Sequence, residues 1–280
     1  MAKIVGGITT SHIPSIGNAM ANHLQQDDYW KPLFDGYGPV KEWLEEVKPD
    51  IAIIVYNDHG LNFFLDTVPT FAMGCAREYY NDDEGWGIPT LAPVQGDEEF
   101  SWHVVQKLIE SEFDMTICQE MKVDHGFMVP MNLMWGDKET WPVKGIPLAV
   151  NTVQHPLPSA LRCFKLGKAL KTAIESYPED AKVVLIGTGG LSHQLQGERA
   201  GIINPDFDIE TMDKIVNDPE WLTRFSNAEI MEHAGTEGIE VIMWLVMRGA
   251  LTDNVKLIHK HYHAPVSNTG AGILVLENDE

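Results

Sequence analysis

Six short runs of β-branched and apolar residues do most to limit what this chain can fold into. They are KIVGGI (3–8), IAIIVY (51–56), MTICQ (115–119), IPLAV (146–150), VVLIG (183–187) and GILVLE (272–277). Runs of this length without polar alternation suit strands covered on both faces. Helical patterns lie between them. PVKEWLEEV (39–47) is one; 97–111 places Phe100, Val104, Val105, Leu108 and Ile109 on one stripe; 161–177 places Leu161, Phe164, Ala169, Leu170, Ala173 and Ile174 at helical spacing. Strands alternating with helices predict an α/β fold of three layers, α/β/α, around one main sheet, mixed or mostly parallel. With 280 residues, 44% of them apolar, the chain can build a full core, and no linker marks a boundary. Residues 1–280 therefore read as a single domain with long loop insertions. The segment 60–96, with Pro69, Pro89 and Pro93, is too long for a plain connection and reads as a cover or a partner surface. The segment 197–236 reads as two short helices broken at Pro219.

Charge and cysteine content narrow the function. There are 41 acidic against 20 basic residues, a formal net charge of −21. Such a surface repels phosphate backbones, which argues against a nucleic-acid partner. It also opposes an anionic small substrate, so a pocket for one must supply its own donors. Cys75, Cys118 and Cys163 show no zinc spacing and read as buried thiols of a reducing compartment. The start MAKIVGGITTSHIP turns polar too soon for a signal peptide, and the longest apolar run, IMWLVM (242–247), is too short to span a bilayer. The expectation is a soluble cytoplasmic protein with no membrane association.

Four histidines share one setting, each shortly after an expected strand: His12 after 3–8, His59 after 51–56, His125 after 115–119 and His193 after 183–187. If those strands are parallel, the rings crowd the crevice beyond the strand ends, where open α/β sheets bind ligands. His259, His261 and His263 in IHKHYH read instead as a solvated strand or helix end. A carboxylate stands out in TEGIEVIMWLVMRGAL (236–251), a buried-helix pattern in which Glu240 sits between Ile239 and Val241. It must be paired, protonated or metal-bound. A salt bridge to Arg248 is one reading and metal ligation another, while Glu237 at the helix start is explained by capping. Two neutral histidines and one carboxylate form the facial set of non-haem Fe(II) oxygenases, and zinc on the same ligands would do hydrolysis. The glycines of GTGGLSHQLQG match neither a P-loop nor a dinucleotide fingerprint and read as a tight turn presenting His193. Ser267-Asn268 before the last strand reads either as an ordinary turn or as a pair of neutral donors for a substrate carboxylate.

Taken together, GITTSHIPSIG, VYNDH, PTFAMGCA, DEGWG, SEFDMT, VDHG, GTGGLSHQLQGERAG, EGIEVIMWLVMRGAL and PVSNTGAG, spread over residues 7–272, resemble the type II extradiol dioxygenases. The likeness points in particular to the catalytic β subunits of the protocatechuate 4,5-dioxygenase group. The resemblance implies Fe(II) held by His12, His59 and Glu240, His193 as the acid/base, and His125 as a second pocket histidine meeting the bound catechol or oxygen. It implies Asn57 near the iron, and Ser267 with Asn268 at the substrate carboxylate. It further implies ring cleavage of protocatechuate by O₂ to 4-carboxy-2-hydroxymuconate semialdehyde, with gallate or a methylated gallate as the alternative substrate. A zinc hydrolase or a non-catalytic metal protein on the same scaffold is the remaining alternative. Gallate enzymes of the group carry a fused extra domain, which sets this chain apart in length. The resemblance therefore also implies a separate small α subunit capping the site in an α₂β₂ assembly.

Overall fold

The computed structural model describes residues 1–279. In chain order the elements are β1 (Lys3–Thr9), α1 (Pro14–Ala21), α2 (Lys31–Asp35), α3 (Gly38–Val47), β2 (Ile51–Tyr56), β3 (Phe71–Gly74), β4 (Glu78–Asn81), β5 (Val94–Gln95), α4 (Glu98–Glu110), β6 (Thr116–Cys118), β7 (Lys122–Val123), α5 (His125–Trp135), β8 (Lys144–Val150), α6 (Ala160–Glu175), β9 (Lys182–Gly187), α7 (Pro205–Asn217), α8 (Asn227–Ala234), α9 (Ile242–Gly249), β10 (Val255–Val266) and β11 (Thr269–Asn278). Short 3-10 turns precede α8, at Leu222–Arg224, and α9, at Glu237–Val241.

Eight strands form the main sheet in the order β10-β11-β1-β9-β2-β8-β3-β6, and β5, β4 and β7 form a small second one. At the centre β1, β9, β2 and β8 run parallel, flanked by antiparallel β11 and β3, so the sheet is mixed. Its apolar runs divide by strand period. Ile53, Val55, Val183 and Leu185 face one layer, while Ala52, Ile54, Val184 and Ile186 face the other. α4, α6 and α9 cover the first face, and α1, α3 and α5 cover the second. This is the three-layer arrangement expected.

The departures have local causes. The segment 60–96 contains β3, β4 and β5, so it is partly sheet. On the helical stripes Ile109 and Leu161 face outward rather than into the core. His259, His261 and His263 lie on β10, an edge strand; the His259 ring reaches Gly36 O at 2.9 Å and stacks on His261. Among the described residues no helix is long and apolar enough to cross a membrane.

The pairing of Glu240 with Arg248 does not occur. The stretch begins as a 3-10 turn and continues as α9, so the two residues stand at its opposite ends. At ~1.5 Å of rise per residue they are roughly 12 Å apart. The buried Arg248 guanidinium donates instead to the carbonyls of Ile215, Thr252 and Asp253, at 2.8, 2.9 and 2.8 Å. It thereby ties α9 to the end of α7 and to the turn before β10. Arg248→Leu leaves those carbonyls without donors and should lower stability by about 2–4 kcal/mol, read as a lower urea midpoint. An unchanged midpoint would show that water replaces the guanidinium freely.

Candidate metal and substrate site

The carboxyl ends of the parallel strands open on one crevice. β1 runs into His12, β2 into Asn57 and His59, β8 into Asn151 and Thr152, and β9 into Thr188 and, past a glycine turn, His193. Gly189 and Gly190 have φ of +88° and +49°, and a Cβ on Gly189 would lie 2.7 Å from that of Glu240, so this turn needs glycine to pass the carboxylate. His125 arrives by another route. The strand expected at 115–119 is reduced to β6 at the far sheet edge, and His125 is the first residue of α5, behind β7 of the small sheet. Asp124 caps that helix by accepting from Gly126 N at 2.8 Å.

The rings converge in spite of these different origins. Centroid distances are 5.2 Å for His12–His59, 5.9 Å for His12–His125 and 4.1 Å for His59–His125. Glu240 Oε2 lies 3.6 Å from His12 Nε2 and 3.9 Å from His193 Nε2. His12, His59 and Glu240 each present one ligand atom, all within 4.8 Å of one another. Asn57 Nδ2 stands between two of these groups, 3.1 Å from His59 Nε2 and 3.3 Å from Glu240 Oε1. Glu237 is not one of these ligand groups, and it does not cap its own turn; it lines the cavity and accepts from the Leu195 amide at 3.0 Å and from the Thr236 hydroxyl at 2.6 Å.

The partner of each Nδ1 sets which ring nitrogen faces the pocket. His193 Nδ1 lies 3.0 Å from Leu191 O, which can only accept, so Nδ1 carries the proton. His12 Nδ1 meets Thr188 Oγ1 at 2.9 Å; that hydroxyl spends its own proton on Val55 O, so it accepts from the ring. His59 Nδ1 donates to Asp124 Oδ2 at 3.0 Å, and His125 Nδ1 donates to Glu84 Oε1 at 2.8 Å. In all four rings Nδ1 is thus committed to the protein and Nε2 faces the cavity, where that of His59 also meets Asn57 Nδ2.

Burial disfavours charge on His12 and lowers its pKa. Burial opposes charge on His59 too, but the Asp124 carboxylate outweighs it and lifts the pKa to about 9. Burial would raise Glu240, yet His12, His193 and His59 hold its carboxyl well below the usual range. Among the described residues no lysine or arginine pairs with this buried carboxylate, whose ion partners are imidazoles alone. A carboxylate oxygen and two imidazole nitrogens within 4.8 Å of one another form a donor set that fits a divalent cation, which would displace the proton from His59 on binding. The adjoining cavity has a volume of about 950 Å³, with Ile13, Trp30, Leu61, Trp86 and Val153 supplying apolar wall.

The structure places the remaining sequence candidates unevenly. Ser267 and Asn268 form the β10–β11 turn, with φ of +47° and +61°. Ser267 lines the cavity, and its amide donates to Tyr29 Oη at 2.8 Å. Asn268 is exposed and is not part of the lining. Sequence reading missed Thr188, Asp124 and Glu84. The signals for two of them were acids in short glycine-bearing motifs, VDHG and DEGWG. Asp124→Asn should weaken metal retention roughly 10–100-fold, the usual effect of removing the group that orients a ligating imidazole. Titration of the metal-free chain with a divalent ion measures it, and native affinity would mean that the His59 ring is aimed by packing alone.

The chain is 48% identical over 196 residues to a gallate dioxygenase of Pseudomonas putida, a match covering 70% of this chain and 57% of that protein. It is 25% identical to a 2,3-dihydroxyphenylpropionate/2,3-dihydroxicinnamic acid 1,2-dioxygenase of Comamonas testosteroni over 96% of this chain and 95% of that one. It thus spans little more than half the length of the gallate dioxygenase that it matches. A crystal structure of the uncharacterized protein JW3007 from Escherichia coli K12 shares the fold, with a TM-score of 0.60 at 12% identity over 98% of this chain and 100% of that one. The model for the catalytic LigB subunit of aromatic ring-opening dioxygenase matches residues 6–274, and the chain belongs to that family.

Proposed function

We propose that this chain, over its whole length, is the catalytic unit of a cytoplasmic dioxygenase that opens the ring of a catechol-type acid with O₂, with Fe(II) held by His12, His59 and Glu240. The convergence of those three ligand atoms within 4.8 Å beside an apolar-walled cavity carries the reading. Bound there, Fe(II) supplies the one-electron chemistry that O₂ needs to react with a closed-shell ring. The chain's own groups do the rest. His193, with Nδ1 committed to Leu191 O, exchanges the proton of a ring hydroxyl at Nε2. His125, held by Glu84, presents Nε2 to the same ring or to oxygen. Asn57 donates beside the ligands, and Ser267 offers a neutral hydroxyl to the ring carboxylate.

The substrate order changes from the sequence reading. There protocatechuate stands first, with gallate or a methylated gallate as the alternative; the similarity to a gallate dioxygenase favours gallate. A covering partner, a small α subunit in an α₂β₂ assembly, is supported by apolar side chains left open at the mouth. Trp86, Val153 and Leu195 are 55%, 53% and 63% exposed there. The deciding experiment is oxygen uptake by the Fe(II)-loaded chain with gallate and with protocatechuate, alone and with an added α chain. Uptake matched by a ring-opened product, faster with gallate, is expected. Tightly held zinc with no uptake on any catechol would overturn the proposal.

A further inference from the structure

One buried acid plays no part in the arrangement so far described. Asp208 lies near the start of α7 and is fully buried. Its Oδ1 accepts from Ser192 N at 2.9 Å, and its Oδ2 accepts from Ser192 Oγ at 2.7 Å and from Tyr262 Oη at 2.8 Å. The Ser192 hydroxyl also accepts the Asn204 amide at 2.7 Å. A Cβ on Gly270 would stand 2.3 Å from Asp208 Oδ2, so only glycine there admits the carboxylate. Burial pushes the Asp208 pKa up, and the bonds from Ser192 and Tyr262 offset part of that rise.

Ser192 precedes His193, and this stretch is stitched to the start of β11. Leu191 N donates to Gly270 O at 2.7 Å, Gly270 N donates to Ser192 O at 3.0 Å, and His193 forms a β-bridge with Thr269. Thr269 directly follows the Ser267–Asn268 turn, and the His193 ring bonds back to Leu191 O within the same stretch. Tyr262 adds β10 to the cluster. A buried carboxylate is a poor choice for stability alone, because an apolar residue of similar volume is often at least as good. What it does here is gather three donors and hold the backbone on which the acid/base ring stands.

We infer that Asp208 is a positioning residue that sets His193 and the Ser267–Asn268 turn at one fixed separation, so that proton exchange at the ring hydroxyl and contact with the ring carboxylate stay in register. This deepens the proposed function and rests on it. Asp208→Asn keeps the volume but puts an amide donor in place of one acceptor. In the Fe(II)-loaded chain kcat should fall about 10–100-fold, the usual effect of moving a reacting group by about an ångström, with iron content unchanged. The kcat/KM preference for gallate over pyrogallol, which lacks the carboxylate, should also shrink. A folded variant with native kcat per iron and native preference, changed only in melting temperature, would overturn the inference. Should Asp208→Asn not fold, Tyr262→Phe removes only the outer donor and should move both quantities the same way by a smaller factor; no movement counts against the inference equally. A second readout needs no turnover. Long-range ¹H–¹⁵N spectra of the metal-free chain should show one Nδ1–H tautomer for His193 in the wild type and a mixture in Asp208→Asn, and an unmixed tautomer in the variant would overturn the inference. If the wild-type chain opens no catechol, the proposed function fails, while this spectrum still decides the role of Asp208.

Discussion

Glu240→Gln leaves a folded chain that no longer retains its metal. Gln keeps the side-chain volume and an oxygen able to accept the Gly190 amide, which donates to Glu240 Oε2 at 3.0 Å in the native chain. What it loses is the charge, which comes from the only carboxylate in the ligand set proposed with His12 and His59. Changes one shell further out lower metal affinity roughly 10–100-fold, so loss of the ligand's own charge should cost at least about 100-fold. Ring cleavage should fall with iron content. The metal-free variant should melt somewhat below the native chain, because Gln can still accept the Gly190 amide but no longer attracts the His12, His193 and His59 imidazoles. Iron analysis after gel filtration, set beside a melting curve, reads both. Full iron with full activity would reduce Glu240 to a structural residue.

His193→Ala separates binding from chemistry. The ring lies outside the ligand group, so iron should stay bound. Its Nε2 stands 3.9 Å from Glu240 Oε2, at the edge of the cavity where a ring hydroxyl would lie. Turnover should fall by about 10²–10⁴, the usual range for a general acid/base. Iron content and KM should move little by comparison. If turnover holds, the proton travels elsewhere, and His125 is the next ring to test. If iron is lost as well, the site is a four-residue unit in which His193 also holds the metal.

The parallel block of the sheet was legible because its strands are apolar on both faces. IAIIVY and VVLIG carry no polar residue to hide, and they match β2 and most of β9. β10 was only half legible, as a strand or a helix end around IHKHYH, because an edge strand carries His259, Lys260 and His261 without strain and shows no apolar run. The short β3 and β4 were lost in a segment punctuated by Pro69 and glycines. In the site, His12, His59 and His193 could be read because each follows a buried apolar strand, and Glu240 because it interrupts an apolar stretch. Their orienting partners could not. Thr188 meets His12 across 176 positions of sequence and Glu84 meets His125 across 41, separations at which no local pattern survives. The Arg248 reading failed for the opposite reason: nearness in sequence suggested a contact that the length of the helix forbids.

The four Nδ1 contacts come from four separate places: the end of β9, the cap of α5, the loop before β5 and the backbone at Leu191. Alignment of the imidazoles is therefore completed while the chain folds, and no ring has to turn when a ligand arrives. Glu84 and Leu191 stand in loops, while Thr188 directly follows β9 and Asp124 caps α5. Mild heating or dilute denaturant that frees those loops should stop the proposed ring cleavage while the sheet is still intact, so loss of activity would run ahead of loss of secondary structure.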